Sequence, residues 1–288
     1  MTVVPILGAG SSMADYKIGF KWWALIIAVV FVISELVCVV CVPERPVACD
    51  EKPGKISDMF KALFKNDQAM TVVVSIILVY TSLNICGNLV LYFFRFDVGN
   101  EGAYSIFAAV AFAAQVLVMM VIPLLRKRFS KSQLFISGFI IQISGFAVIL
   151  IMAFAKLYTP QSWYILCLPG ILIYLGYGML NVIMTIFLSD SVDYGEVMNG
   201  TREESVIFSM QTFTVKLASG VAVFLAGLVV DWIHLDTAAA VQTQDTLDAL
   251  RMWMTIPSVI LLIVGIFVFK RFYKLDDARM EEIKSKLN

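Results

Sequence analysis

Apolar residues fall along this chain in stretches of about 20, the length an α-helix needs to cross the hydrocarbon core of a bilayer. Short polar gaps separate them. The first full stretch is Trp22 to Val42. The second, Ala69 to Phe96, is interrupted by Asn84 and Asn88. Ala103 to Leu125, Leu134 to Ala155, Tyr164 to Leu188, Val206 to Val230 and Met252 to Phe269 follow. Each predicts a membrane-spanning helix, so the expected fold is all-α, a polytopic helix bundle of about seven spans. Met1 to Gly10 is apolar but too short to cross, and it lacks the basic start and cleavage site of a signal peptide.

Composition strengthens this picture. Sixty per cent of the 288 residues are hydrophobic, 15% are charged and the mean hydropathy is +0.85, outside the range of soluble domains. The formal net charge is zero, which gives nucleic acid no footing as a partner. The lipid bilayer is the expected surrounding.

Charge asymmetry orients the spans. Arg45, Lys52, Lys55, Lys61 and Lys65 lie between the first two, and Arg126, Lys127, Arg128 and Lys131 between the third and fourth. Lys270, Arg271, Lys274, Arg279, Lys284 and Lys286 follow the last. The alternate loops, 97–102, 156–163 and 231–248, hold only Lys156. Positive loops stay inside, so the expectation is a plasma-membrane (inner-membrane) protein with a cytoplasmic C-terminus. Trp22, Trp23, Trp163, Tyr164 and Trp232 then stand at the outer interface. Seven crossings put the first span's start outside, with no preceding span to deliver it. Met1 to Gly10 therefore reads as the end of a truncated helix, residues 11–21 as an external loop, and the chain as part of a longer protein.

Lys216 carries the most information about function. It sits inside the sixth stretch, where a charge at mid-membrane depth costs about 3 kcal/mol or more. A wet cavity or an opposite charge has to offset that cost. Ser205, Ser209, Thr212, Lys216 and Ser219 recur at helical spacing as one polar stripe beside Gln211, and Ile207, Phe213, Leu217 and Phe224 lie on another face. Tyr80, Asn84 and Asn88 share a face of the second span, and Tyr177, Asn181 and Thr185 a face of the fifth. Such amides and hydroxyls match sugar hydroxyls, and aromatic rings pack on the apolar face of a sugar. The plainer alternative is hydrogen bonding between helices.

The segment from Ser189 to Ser205, expected as a cytoplasmic loop, breaks the basic-inside habit. Asp190, Asp193, Glu196, Glu203 and Glu204 surround Arg202, a set of charges suited to pairing in one conformation and parting in another.

Here the sequence becomes recognisable. Val192, Asp193, Tyr194, Gly195 and Glu196, then Arg202 to Ser205, then Gln211, Thr212 and Lys216, resemble the glycoside–pentoside–hexuronide:cation symporter family. This is the melibiose-carrier-like branch of the major facilitator superfamily. Lys65 to Gln68 and Lys270 to Leu275 are similar to that family's entry to its seventh helix and to its end. The resemblance implies the C-terminal half of a twelve-helix fold: 22–42 as the sixth helix, 43–68 as the central cytoplasmic loop, 69–269 as the C-terminal bundle and 270–288 as a cytoplasmic tail. It implies symport of a sugar or glycoside with Na⁺ or H⁺, without catalysis, cofactor or resident metal. Lys216, Thr212 and Gln211 match positions near the family's cation and sugar sites, and Asp190, Asp193 and Arg202 match its inner gate. The cation-binding carboxylates belong to a missing N-terminal half, which becomes an expected partner. Asn181 departs from an aromatic residue in the best-known family member, which turns the expectation away from that member's own sugar.

Other features change little. Cys38 and Cys41, with Cys49 nearby, read as packing thiols, and His234 as a surface residue. Glu35 should face protein. Ser57 to Phe64 has the pattern of a short amphipathic surface helix. A facilitator carrier for a lipid or drug, or an inactive fragment, stands as the alternative.

Overall fold

The computed structural model describes residues 13–41, 64–200, 204–239 and 241–287. The described residues are helical apart from short turns, with no strand among them. They include seven helices long and apolar enough to cross a membrane, so this is a multi-pass membrane protein. The chain divides into two units, Met1–Gly54 and Lys55–Asn288.

The first unit contains one described helix, α1 (Met13–Cys41). It is already helical over Met13 to Lys21, where the sequence suggested a loop, and that stretch contains no proline to interrupt it. Cys38 and Cys41 are free thiols.

The second unit holds six spanning helices: α2 (Asp67–Tyr92), α3 (Ala103–Leu125), α4 (Lys131–Phe154), α5 (Cys167–Asn199), α6 (Glu204–Trp232) and α7 (Gln244–Phe272). A π-helical turn, Phe93–Asp97, prolongs α2. A short terminal helix, α8 (Asp277–Leu287), ends the chain. Helix α5 packs on α3 and α4, α2 on α6 and α7, and α4 on α7. Phe135, Phe139, Phe187 and Phe269 form the aromatic centre, with Phe135 and Phe269 ring centroids 4.5 Å apart.

Local chemistry starts these helices where the sequence turns polar. Asn66 caps α2 by accepting the Ala69 N–H at 2.9 Å, and its amide donates to Ser191 O of α5 at 2.7 Å. Ser130 and Gln133 form a capping box at α4. Two glycines permit close approach. A Cβ on Gly176 would lie 2.6 Å from the α4 backbone at Gln142, and one on Gly195 2.8 Å from the Asn66 amide.

Three boundaries of the second unit also differ from the sequence expectation. Helix α5 runs to Asn199, so most of the acidic segment after Leu188 is helix rather than loop; those 11 further residues add about 16 Å. Helix α7 starts at Gln244, well before Met252, with Thr243 as its cap. The tail docks: Leu275, Met280 and Ile283 of the α8 segment are buried with Tyr194, Val197 and Tyr273. Apolar runs mark only the lipid-embedded part of a helix, and polar helical extensions leave no such trace.

Candidate functional site

Helix α6 buries Ile207, Met210, Thr214, Ala218, Ala222, Ala226 and Val229. These mostly small residues recur every three or four positions and seat α6 on α2, its main neighbour. At about 100° per residue, the stripe Ser205, Ser209, Thr212, Lys216 and Ser219 falls on the far side of the helix. Lys216 and Thr212 are exposed. Thr212, Ser209 and Ser219 turn their hydroxyls back to carbonyls of their own helix, with oxygens 2.8–3.4 Å apart. Lys216 has no hydrogen-bond or ion-pair partner among the described residues.

The other polar positions converge. The rings of Tyr80 (α2) and Tyr177 (α5) meet edge to face, centroids 5.5 Å apart. Asn181 donates its amide to the Tyr80 hydroxyl. Thr185 donates to Asn181 O at 3.1 Å, and Gln211 of α6 approaches the Thr185 hydroxyl at 3.5 Å. A polar chain thus links α2, α5 and α6 through Tyr80, Asn181, Thr185 and Gln211. Tyr177 is buried, while Tyr80 and Asn181 are half-buried.

Asn84 and Asn88 do not join that chain. Each donates to the carbonyl one turn earlier, Tyr80 O and Asn84 O, both at 2.7 Å. Their amide oxygens remain for other partners. Asn88 lines an open groove of about 240 Å³ with Tyr92, Val223, Ala226, Gly227 and Val230. The structure therefore gathers Tyr80, Tyr177, Asn181 and Gln211, continues them along α2 through Asn84 and Asn88, and leaves Lys216 and Thr212 on a separate face.

Charged clusters sit at the two ends of the six-helix unit. At one, Lys131 donates to Asp190, both buried, and reaches Asp277 at 3.4 Å. Arg126 also reaches Asp277 at 3.4 Å. Asp193 and Glu196 lie half-buried on the same extension of α5, and Arg202 lies outside the described residues. The resemblance places Asp190 with Arg202 at the inner gate; among the described residues its ion-pair partner is Lys131, expected only as a basic loop charge. The Tyr273 hydroxyl is buried here without a hydrogen bond among the described residues. Burial first, then the charges of Asp190 and Asp277, hold its phenol well above the ordinary range, so it stays protonated.

At the opposite end, Arg251 forks onto Asp97, Nε to Oδ2 at 2.8 Å and Nη2 to Oδ1 at 2.6 Å. Its third nitrogen reaches Asp248 at 2.7 Å. The Tyr158 hydroxyl donates to Asp97 at 2.6 Å, and burial followed by that bond pushes its phenol far up. This cluster was missed because Arg251 and Asp97 stand one residue outside the apolar runs. An arginine within a turn of one membrane span, with an aspartate just past another, was the available signal. Among the described residues, no three His, Cys, Asp or Glu side chains group to hold a metal ion.

The sequence matches the family described as MFS/sugar transport protein over residues 1–277. The chain belongs to that family, as the motifs around Asp193, Gln211 and Lys216 indicated. It is 23% identical to the raffinose carrier protein of Pediococcus pentosaceus over 294 aligned positions, which cover 100% of this chain and 44% of that carrier. It is 24% identical to the isoprimeverose transporter of Lactiplantibacillus pentosus, covering 96% of this chain and 56% of the transporter. An uncharacterized symporter of Bacillus subtilis is 25% identical over 81% of this chain and 49% of its own length. The chain spans about half the length of these relatives.

Proposed function

We propose that this chain is the C-terminal part of a carrier that moves a sugar or glycoside together with Na⁺ or H⁺. The cross-helix chain Tyr80–Asn181–Thr185–Gln211 is the observation that carries the reading. It offers hydroxyl and amide partners beside the edge-to-face pair Tyr80–Tyr177, the combination a sugar requires: polar groups for its hydroxyls and ring faces for its apolar side. In this reading the sugar lies between two halves, as in repeat-built transporters. The α2, α5 and α6 polar face forms one wall, and Asn84 and Asn88 extend it. An N-terminal half supplies the other wall and the cation-binding carboxylates.

Lys216 and Thr212 take a second role. A membrane-embedded ammonium uncovered by its own six-helix unit calls for a polar or charged surface from elsewhere, and the N-terminal half is the natural source. Lys216 then sets the field at the shared cation and sugar site. The basic loops lie in the cytoplasm. The Lys131–Asp190–Asp277 cluster, with Asp193, Glu196 and Arg202, belongs to the inner gate, whose pairs form in one state and part in the other. Coupling follows because cation and sugar favour the same state.

The test uses the carrier co-expressed with its N-terminal half in proteoliposomes. Labelled raffinose and smaller glycosides are offered under an imposed Na⁺ or proton gradient. Uptake of one of them, accelerated by one cation, is expected. Lys216→Gln is expected to reduce coupled uptake at least tenfold with membrane insertion unchanged. Unaltered coupled uptake by that variant overturns its role, and transport of amphipathic dyes but no sugar overturns the substrate class.

A further inference from the structure

A groove of about 570 Å³ opens between the start of α2 and the end of α7. Its walls are Met70 and Val74 on α2 and Val268 and Phe272 on α7, with Phe64 at one side and Asp67, Arg271 and Lys274 at the mouth. Phe64 and Phe272 are 69% and 51% exposed. The groove lies at the end of two membrane-crossing helices, Asp67–Asp97 and Gln244–Phe272, the depth at which lipid phosphates sit.

Its charge is unbalanced. Arg271 rests against the Phe272 ring at 5.7 Å, and neither Arg271 nor Lys274 has an ion-pair partner among the described residues. The nearby carboxylate, Asp67, is engaged elsewhere: it accepts the Gln68 amide at 2.8 Å and lies against the Tyr194 hydroxyl. Gln68 in turn holds the backbone at the mouth, accepting the Lys274 N–H at 2.8 Å. The site thus has two cations without an ion pair among the described residues, above apolar walls that descend about 10 Å from Asp67 to Val74. That is the shape and charge of a phospholipid: an anionic head at the rim and the first methylenes of an acyl chain below. The charge of the preceding sequence does not offset these cations, since residues 55–65 carry Lys55, Lys61 and Lys65 against Asp58.

We propose that this groove binds the headgroup of an anionic phospholipid, with Arg271 and Lys274 on its phosphate and Phe64, Val74 and Phe272 against its chain. Basic pockets between transmembrane helices recognise anionic headgroups in this way, and each cation near the surface contributes about a fivefold gain in affinity. This site stands apart from the Tyr80–Asn181 face and needs no sugar.

The experiment is native mass spectrometry of the full chain in neutral detergent, titrated with dioleoyl-phosphatidylglycerol or with dioleoyl-phosphatidylcholine. The phosphatidylglycerol lipid is expected to bind more tightly. Arg271→Gln and Lys274→Gln are each expected to weaken it about fivefold, Arg271→Lys to retain most of the affinity, and Lys127→Gln, an exposed basic residue outside the groove, to change nothing. Val74→Trp keeps both cations but fills the cleft, and it is expected to expel the lipid; detergent-phase melting of each variant verifies folding. Equal binding of the two lipids, equal losses in all three Gln variants, or undiminished binding by Val74→Trp overturns the proposal and leaves the groove to a protein segment or to bulk surface charge.

Discussion

The two ends of the six-helix unit both hold buried charge, but they hold it differently. At the Asp97 end every strong group is answered: the carboxylate takes two guanidinium bonds and a phenol, and the guanidinium has a second acid in Asp248. At the Asp190 end Lys131 is shared between two carboxylates, Asp277 between two cations, and the Tyr273 hydroxyl beside them has no hydrogen-bond partner among the described residues. A saturated cluster has one arrangement. An under-satisfied one has several of similar energy, which is what a rearranging element requires. Under the proposed gating, the first end is the fixed clamp and the second the part that moves.

The comparison is broken most severely by removing the clamp. Asp97→Asn leaves the Arg251 charge buried with only Asp248, and a broken buried pair costs about 3–5 kcal/mol. Thermal melting of the full chain in detergent should show the largest drop for this variant. Asp190→Asn strands Lys131 less completely, because Asp277 remains at 3.4 Å. We expect a loss of about 2–3 kcal/mol. Equal losses at the two sites would remove the distinction between clamp and movable end.

These clusters also mark where sequence stops informing. The spans were legible because lipid forces apolar residues into runs of fixed length. The shared face of Tyr80, Asn84 and Asn88 was legible from their four-residue spacing. The partner of Tyr80 was not, since the bond to Asn181 depends on how α2 and α5 lie together, and no period encodes that. The Lys216 stripe was readable as a stripe, whereas its place opposite the α2 contact came only from the packing of Ala218, Ala222 and Ala226. Asp190 announced itself as an acid in a basic region, but α5 had first to continue as a helix past Leu188 for Lys131 to reach it. The docked α8 was hidden because three apolar residues among many charges, Leu275, Met280 and Ile283, look like an ordinary tail.

Tyr273 sharpens the comparison with a change of opposite sign. Its hydroxyl is buried and unbonded, so Tyr273→Phe removes an unsatisfied group while keeping the rings of Phe187 and Phe269 in contact, at 4.4 and 4.7 Å centroid distance. A gain of about 1 kcal/mol is expected. The pH dependence follows the same residue. A phenol held neutral by burial adds no penalty below its ordinary pKa of about 10; above that value the unfolded chain ionises first, and stability falls as pH rises. Melting of Tyr273→Phe should therefore fall less steeply above pH 10 than that of the parent, with Tyr158 accounting for the remainder.

The smallest effect belongs to Asp277, and it tests whether the movable end includes α8. Its side chain is 42% exposed, and both of its cation contacts are at 3.4 Å. Screening by water holds such a pair to about 0.5 kcal/mol, so Asp277→Asn should barely shift the melting of the bundle. The same contacts tether the first turn of α8, where an acid also favours the helix N-terminus. Loss of the tether should release the helix locally before it weakens the whole. Tryptic cleavage at Arg279 and Lys284 is then expected to quicken several-fold in Asp277→Asn, and high salt should produce the same acceleration in the parent chain. Cleavage at the parental rate in both conditions would mean that Met280 and Ile283 alone hold α8 down, and that the charges at this end act between α4 and α5 without involving the tail.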